Sequence, residues 1–217
     1  MDSRTISVKK DILSANNKIA GTIRSRLNRH HCQMINIMSS PGAGKTSIIK
    51  RTINRFKDIY GIAVIEGDIA SSIDTERISR LNIRAVQINT GGGCHLDANM
   101  IDMALSDLDL DHLDLVFVEN VGNLVCTADF DLGAHKNVVI LSVPEGDDKP
   151  YKYPVIFMEA DIVLVNKIDV LPYFDFDLGT FPEIIKGLNP SASVRPVSAK
   201  SGEGLDNWFL WIEQILK

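Results

Sequence analysis

The residues Ser39-Ser-Pro-Gly42-Ala-Gly44-Lys45-Thr46 stand between an apolar run, Met34–Met38, and a helical pattern, Thr46–Tyr60. A strand that enters a glycine turn and opens straight into a helix constrains this chain more than any other feature. The pattern is G-x-x-x-x-G-K-[ST], with Ser39 in place of the first glycine. Gly42 and Gly44 let the backbone curl so that successive N–H groups point inward, and the helix N-terminus adds a dipole that favours an anion. Ser40, Gly42, Ala43, Gly44, Lys45, Thr46 and Ser47 are expected to cradle phosphate. Lys45 would bridge the β- and γ-phosphates, and the Thr46 hydroxyl would ligate Mg²⁺.

Short apolar runs then alternate with helical patterns. Strands are expected at Met34–Met38, Ile62–Ile65, Ala85–Ile88, Leu113–Val118, Val138–Val143, Ile162–Val165 and Val194–Val197. Helices are expected at Val8–Asn28, Thr46–Tyr60, Thr75–Leu81, Leu96–Asp107 and Leu205–Leu216, and a loop at Pro172–Thr180 that lies over something. Alternation of this kind predicts an α/β fold, a mostly parallel sheet with helices on both faces. The 217 residues suit one domain, an amphipathic helix over 8–28 followed by a P-loop core over 34–217. A net charge of -5 argues against a general nucleic-acid surface. No stretch approaches the roughly 20 apolar residues of a membrane span, and the N-terminus lacks the apolar core of a secretory signal. Three cysteines, Cys32, Cys94 and Cys126, fit a reducing cytoplasm better than a disulfide framework.

A second acidic element is Asp114-Leu-Val-Phe-Val-Glu119-Asn120-Val121-Gly122. A buried strand that ends in an acid sets a carboxylate beside the metal, and Gly122 lets a backbone N–H approach the γ-phosphate. Asp68 and Asp74 follow the second strand. One would serve Mg²⁺ and the other cap a helix, and the sequence leaves the choice open. Lys45, Asp74 and Glu119 are the candidate catalytic residues.

The base site reads Asn166-Lys-Ile-Asp169 at the end of a buried strand. Guanine presents N1–H and N2–H₂ as donors, and one carboxylate, Asp169, can accept both. Asn166 would offer its amide to N7 and tie the loop down, and the Lys167 stem would lie across the ring. In Ser198-Ala199-Lys200 a backbone N–H can donate to O6, where adenine would present a donor and be rejected. GTP and GDP are therefore the expected nucleotides.

Thr90-Gly-Gly-Gly-Cys94-His95 puts a thiol and an imidazole side by side at the expected start of a helix, where a thiolate has a lowered pKa. Cys126 follows Gly122 closely. Two sulfurs and an imidazole suit Ni²⁺, Zn²⁺ or Cu⁺ better than Mg²⁺, and the glycines mark a loop where buried cysteines would need a core. His30-His31-Cys32 reads as a helix terminus, and His112 and His135 as structural.

SSPGAGKT, EGDIASSID, NTGGGCHLDA, VENVGNLVC, PEGDDKPYKYP and NKIDVLPYFDFD, in this order, resemble the HypB family of hydrogenase nickel-incorporation GTPases over nearly the whole chain. The urease accessory GTPase UreG is a relative whose metal ligands lie in a different motif. The resemblance implies a nickel-delivering GTPase of the SIMIBI type. It would dimerise with GTP, nucleotides facing each other across the interface, and have a nickel chaperone and a hydrogenase large subunit as partners. Cys94, His95 and Cys126 match the family's interface metal ligands, and Lys45, Thr46 and Glu119 its phosphate and Mg²⁺ residues. Some members carry an N-terminal cysteine motif or histidine-rich tract; neither occurs in this sequence, so high-affinity nickel storage is not expected. Lys149, in the charged stretch Glu145–Lys149, is the candidate for a cross-dimer contact to nucleotide. Asn123 stands where other GTPases carry a glutamine that orients water, so weak intrinsic turnover is expected. A scaffold with structural zinc and a P-loop kinase are the competing readings; the Asn166–Asp169 and Ser198–Lys200 motifs argue against the kinase.

Overall fold

The computed structural model describes residues 8–68, 81 and 83–217. Among these, seven strands form one sheet: β1 Gln33–Ser39, β2 Ile62–Asp68, β3 Arg84–Asn89, β4 Leu115–Glu119, β5 Lys136–Ser142, β6 Ile162–Asn166 and β7 Ser193–Pro196. Their order is β3-β2-β4-β1-β5-β6-β7, and every neighbouring pair is parallel. The described helices are α1 Val8–Arg29, α2 Lys45–Phe56, α3 Ala98–Ser106, α4 Lys149–Lys152, α5 Pro154–Met158, α6 Phe181–Leu188 and α7 Leu205–Ile215. None is long and apolar enough to cross a membrane.

The central strand β1 explains the placement of the site. Its neighbours β4 and β5 are reached in opposite directions across the sheet. Loops leaving the carboxyl ends there diverge and leave a crevice, the usual binding place of an open α/β sheet. The strand is apolar on both sides because both sides are covered. Ile35 and Ile37 pack with Ile49 and Ile53 of α2 and with Trp208 and Ile212 of α7. On the other face Met34 packs with Ile23 and Leu27 of α1 and Ile101 of α3, and Met38 with Phe157 of α5 and Phe181 of α6. Each such fully buried side chain contributes about 1.5–3 kcal/mol. The Trp208 indole N–H donates to Thr52 Oγ1 at 2.8 Å, so the largest buried side chain carries no unmet donor.

Several expected boundaries shift for local reasons. Helix α2 stops at Phe56, not Tyr60, because Ile59 and Tyr60 N–H both turn back onto Phe56 O at 2.9 Å. Helix α3 starts at Ala98, not Leu96: the Asp97 carboxylate accepts Met100 N–H at 2.8 Å and caps it. Leu96 is instead a packing residue, lying where any side chain on Gly67 of β2 would sit. The helices α4, α5 and α6 were absent from the expectation; each opens with a proline in its first turn, a residue that also marks loops. The expected loop at 172–180 begins inside a 3-10 turn, Ile168–Tyr173. Beyond it Phe176 tucks against Phe181, ring centroids 5.2 Å apart, and Asp177 N–H donates to Asp147 Oδ2 at 3.0 Å. It therefore lies over the stretch that follows β5. The helix expected at Thr75–Leu81 lies outside the described residues except for Leu81, which is in a turn.

Candidate functional site

The glycine loop leaves β1 and opens into α2. Gly42 and Gly44 have φ of 75° and 111°, left-handed values that explain glycine at both places. Ser39, where the pattern has glycine, is fully buried; its hydroxyl donates to Ser40 O at 2.6 Å and accepts from Lys45 Nζ at 3.2 Å. The serine thus fits the loop and helps to hold the lysine. A cavity of about 330 Å³ opens above, lined by Gly42, Gly44, Lys45, Thr46, Ser47, Lys50 and Glu119. Lys50 had no role in the sequence reading; α2 brings it to the same cavity.

Thr46 Oγ1 donates to Glu119 Oε1 at 2.7 Å. A hydroxyl and a carboxylate this close form a hard-oxygen pair of the kind Mg²⁺ takes. Beside Glu119, in register on the adjacent strand, stands Glu66, and the two are 5% and 3% exposed. Register partners of a parallel pair point to the same face, so β2 and β4 bring two buried acids together. Sequence alone gave no sign of this pairing. The Asp68 backbone ends β2, paired with Asn89. Its side chain, and Asp74 entirely, lie outside the described residues. Gly122 packs directly on the glycine loop: a Cβ there would meet Pro41 Cγ at 2.9 Å and its Cα and N at 3.0 Å.

At the end of β6, Asn166 is 2% exposed and acts as a strut. Its Nδ2 donates to Ala43 O at 2.8 Å, and its Oδ1 accepts Ala199 N–H at 3.0 Å. One amide therefore joins the glycine loop to the Ser198–Lys200 loop, and only its second N–H is left for a base. Lys167 sits at φ 64° with Nζ on Gly42 O at 2.7 Å, so its stem crosses the space between the two loops. Asp169 Oδ1 accepts the Ser198 hydroxyl at 2.6 Å, which orients the carboxylate. Lys149 turns back on its own segment, with Nζ donating to Glu145 O and, at 2.9 Å, to Asp148 Oδ1.

Cys94, His95 and Cys126 come together, their ligand atoms all within 4.8 Å of one another. His95 Nδ1 lies 3.5 Å from Cys94 Sγ, and its ring stacks on Phe130 at 4.0 Å. Asn123 shapes the turn that presents Cys126: its Oδ1 accepts Val125 and Cys126 N–H at 2.7 and 3.1 Å. That amide oxygen is thus committed to backbone. The expectation of a thiolate at a helix start is corrected, because Cys94 precedes the Asp97 cap and lies in a loop. The Cys126 thiol is in fact pushed up, by its hydrogen bond with Cys94 first, then by burial and the nearby Cys94 and Asp129 charges, with Asn123 pulling the other way. Two half-buried sulfurs and an imidazole form a soft donor set that fits Ni²⁺ or Zn²⁺.

Two buried asparagines join these loops. Asn120 Oδ1 accepts Leu96 N–H at 3.3 Å, just after His95. Asn16, on α1, accepts Ala98 N–H and donates to Asp131 O, both at 2.8 Å, so it spans the segments on either side of the cluster. Neither bond has a sequence signature, because the partners are distant in the chain. The His30–Cys32 cluster is no ligand set: Cys32 is buried, and His30 Nδ1 contacts Asp111 at 2.6 Å. His135 is structural, with Nδ1 accepting Met34 N–H at 3.0 Å.

The model of the family "CobW/HypB/UreG, nucleotide-binding domain" matches residues 33–196. The hydrogenase maturation factor HypB of Rhizobium leguminosarum bv. viciae is 48% identical over 97% of this chain and 70% of its own. The crystal structure of the hydrogenase maturation factor HypB from Archaeoglobus fulgidus superposes with a TM-score of 0.89, at 38% identity, over 94% of this chain and 100% of its own. That of HypB from Helicobacter pylori in complex with nickel gives 0.87, at 38% identity, over 93% and 95%. The chain belongs to the CobW/HypB/UreG family of nucleotide-binding domains and, within it, to the hydrogenase maturation factors HypB.

Proposed function

We propose that this chain is a cytoplasmic GTPase that delivers nickel during maturation of a [NiFe]-hydrogenase, with metal handling coupled to a GTP-dependent dimer. The observation that carries the reading is the meeting of Cys94, His95 and Cys126 on loops tied through Asn120 to the strand end that bears Glu119. The nickel in the Helicobacter pylori relative supports it. Nickel is cargo in this reading, and Zn²⁺ would compete for the same donors. The partners are a nickel chaperone and the hydrogenase large subunit.

Ser40, Gly42, Ala43, Gly44 and Ser47 bind phosphate through the loop, and Lys45 neutralises the β- and γ-oxygens. Mg²⁺, when bound, screens the charge that grows on the transferred phosphoryl group; Thr46 and Glu119 would hold it, with Asp68 or Asp74. Gly122, packed on the glycine loop, senses the γ-phosphate. Asp169 reads N1–H and N2–H₂, oriented by Ser198. Asn166 and Lys167 fix the loop geometry, a backbone N–H of the Ser198-Ala199-Lys200 loop reads O6, and Lys149 reaches the nucleotide across the dimer. The whole chain acts as one G domain.

The test measures Ni²⁺ affinity in GDP and in a non-hydrolysable GTP analogue, beside sedimentation and phosphate release. Expected are a 5–150-fold difference in affinity, the range typical of coupled sites, a dimer only with the analogue, and GTP turnover that Lys45→Ala abolishes. Equal affinities with an unchanged monomer mass would remove the delivery mechanism. Equal turnover in Lys45→Ala would remove the enzyme.

A further inference from the structure

Arg51 lies on the exposed side of α2 and grips the loop after β7 from outside. Its Nε donates to Ala199 O at 2.8 Å and its Nη2 to Lys200 O at 2.7 Å. Two bonds from one planar guanidinium fix direction as well as distance, which a lysine ammonium cannot do. A trans peptide is planar, with C=O and N–H pointing opposite ways. Gripping Ala199 O therefore aims the Lys200 N–H away from Arg51. Gripping Lys200 O does the same for the Ser201 N–H, which donates to Ser198 Oγ at 3.0 Å. The Ala199 N–H is already held by Asn166 Oδ1. Successive peptides of this loop are thus clamped, by α2 on one side and by the end of β6 on the other.

We propose that Arg51 is a positioning residue for guanine recognition. It sets the peptide plane whose Lys200 N–H reads O6, and it links the phosphate-loop helix to the base loop. The proposal rests on the guanine site of the proposed function.

The test uses the full chain with Mg²⁺, as parent, Arg51→Ala and Arg51→Lys, and measures affinities for GTP, 6-thio-GTP, ITP and ATP. 6-Thio-GTP keeps both donors that face Asp169 but offers sulfur, a weak acceptor, at position 6. ITP keeps O6 and lacks the 2-amino group. Arg51→Ala is expected to weaken GTP about tenfold and to bring the preference for GTP over 6-thio-GTP towards one. The preference for GTP over ITP, which rests on Asp169, should stay within about twofold. Arg51→Lys should behave like Arg51→Ala. A loss shared equally by all three guanine-type nucleotides, or no change, would overturn the positioning role. A parent that binds ATP as well as GTP would overturn the guanine reading itself, and this role with it.

Discussion

Asn120 Oδ1 accepts the backbone N–H of Leu96 at 3.3 Å, which ties the end of β4 to the loop that carries Cys94 and His95. The same side chain donates to Asn36 Oδ1 at 3.1 Å, and Asn36 donates to Asn137 Oδ1 at 3.0 Å. A chain of side-chain amides therefore runs across the sheet from the end of β4 through β1 to β5. Asn120 is 1% exposed and Asn36 3%, so the Asn120 end of this chain is sealed from bulk water.

Asn120→Ala would strand the Leu96 and Val121 N–H groups and take the donor from Asn36 Oδ1. Each buried unmet group costs about 1–3 kcal/mol, so unfolding in urea should show a loss of about 2 kcal/mol or more. In the proposed mechanism the same variant should also shrink the difference in Ni²⁺ affinity between GDP and GTP-analogue states. A variant as stable as the parent would mean that the network carries no weight.

Two glycines should respond to alanine with opposite signs. Gly21, inside α1, has nothing within 4 Å of an added Cβ. Gly21→Ala should stabilise by about 0.5–1 kcal/mol, since glycine is the more costly helix residue. Gly44, at φ 111°, would bring a Cβ to 2.3 Å from Asn166 Nδ2. Gly44→Ala should destabilise by about 1–3 kcal/mol from backbone strain alone. It should also dislodge Asn166 from Ala43 O and so weaken nucleotide binding. Thermal melts and nucleotide titrations of the two variants decide it, and a shift of the same sign in both would contradict the contact.

The sheet, the glycine loop and the base loop were legible because their signals are local. Glycines at fixed offsets, buried strands ending in Glu119 or Asn166, and apolar alternation each occupy a few consecutive residues. The meeting of Cys94, His95 and Cys126 was legible because both loops leave the carboxyl ends of strands of one parallel sheet, β3 and β4, which flank β2. What escaped depends on contacts between distant segments. Glu66 meets Glu119 through strand register, Asn16 and Asn120 bond across the chain, and Arg51 reaches Ala199. The misplaced start of α3 has a local cause. Leu96 continues the apolar period of the helix but is buried against Gly67, while Asp97 supplies the cap.

Cys32 gives a prediction with a sign. It is 1% exposed, and burial, with the Asp114 carboxylate adding to it, pushes its thiol from 9.0 up to about 12. Below pH 9 both folded and unfolded chains keep this proton, and nothing is lost. Between about 9 and 12 the unfolded chain releases it while the folded chain holds it, so stability falls as pH rises. The limiting slope for one proton is about 1.4 kcal/mol per pH unit. Urea unfolding at pH 8, 9 and 10 should therefore show a steeper alkaline loss in the parent than in Cys32→Ala. Tyrosines and lysines titrate in both and cancel in the difference. Alkylation gives an independent check. A thiol reagent at pH 8 should label the half-buried Cys94 and Cys126 in the native protein and reach Cys32 only after unfolding. Parallel pH curves, or native labelling of Cys32 at the rate of the other two, would show that the thiol is not sealed between α1 and the sheet.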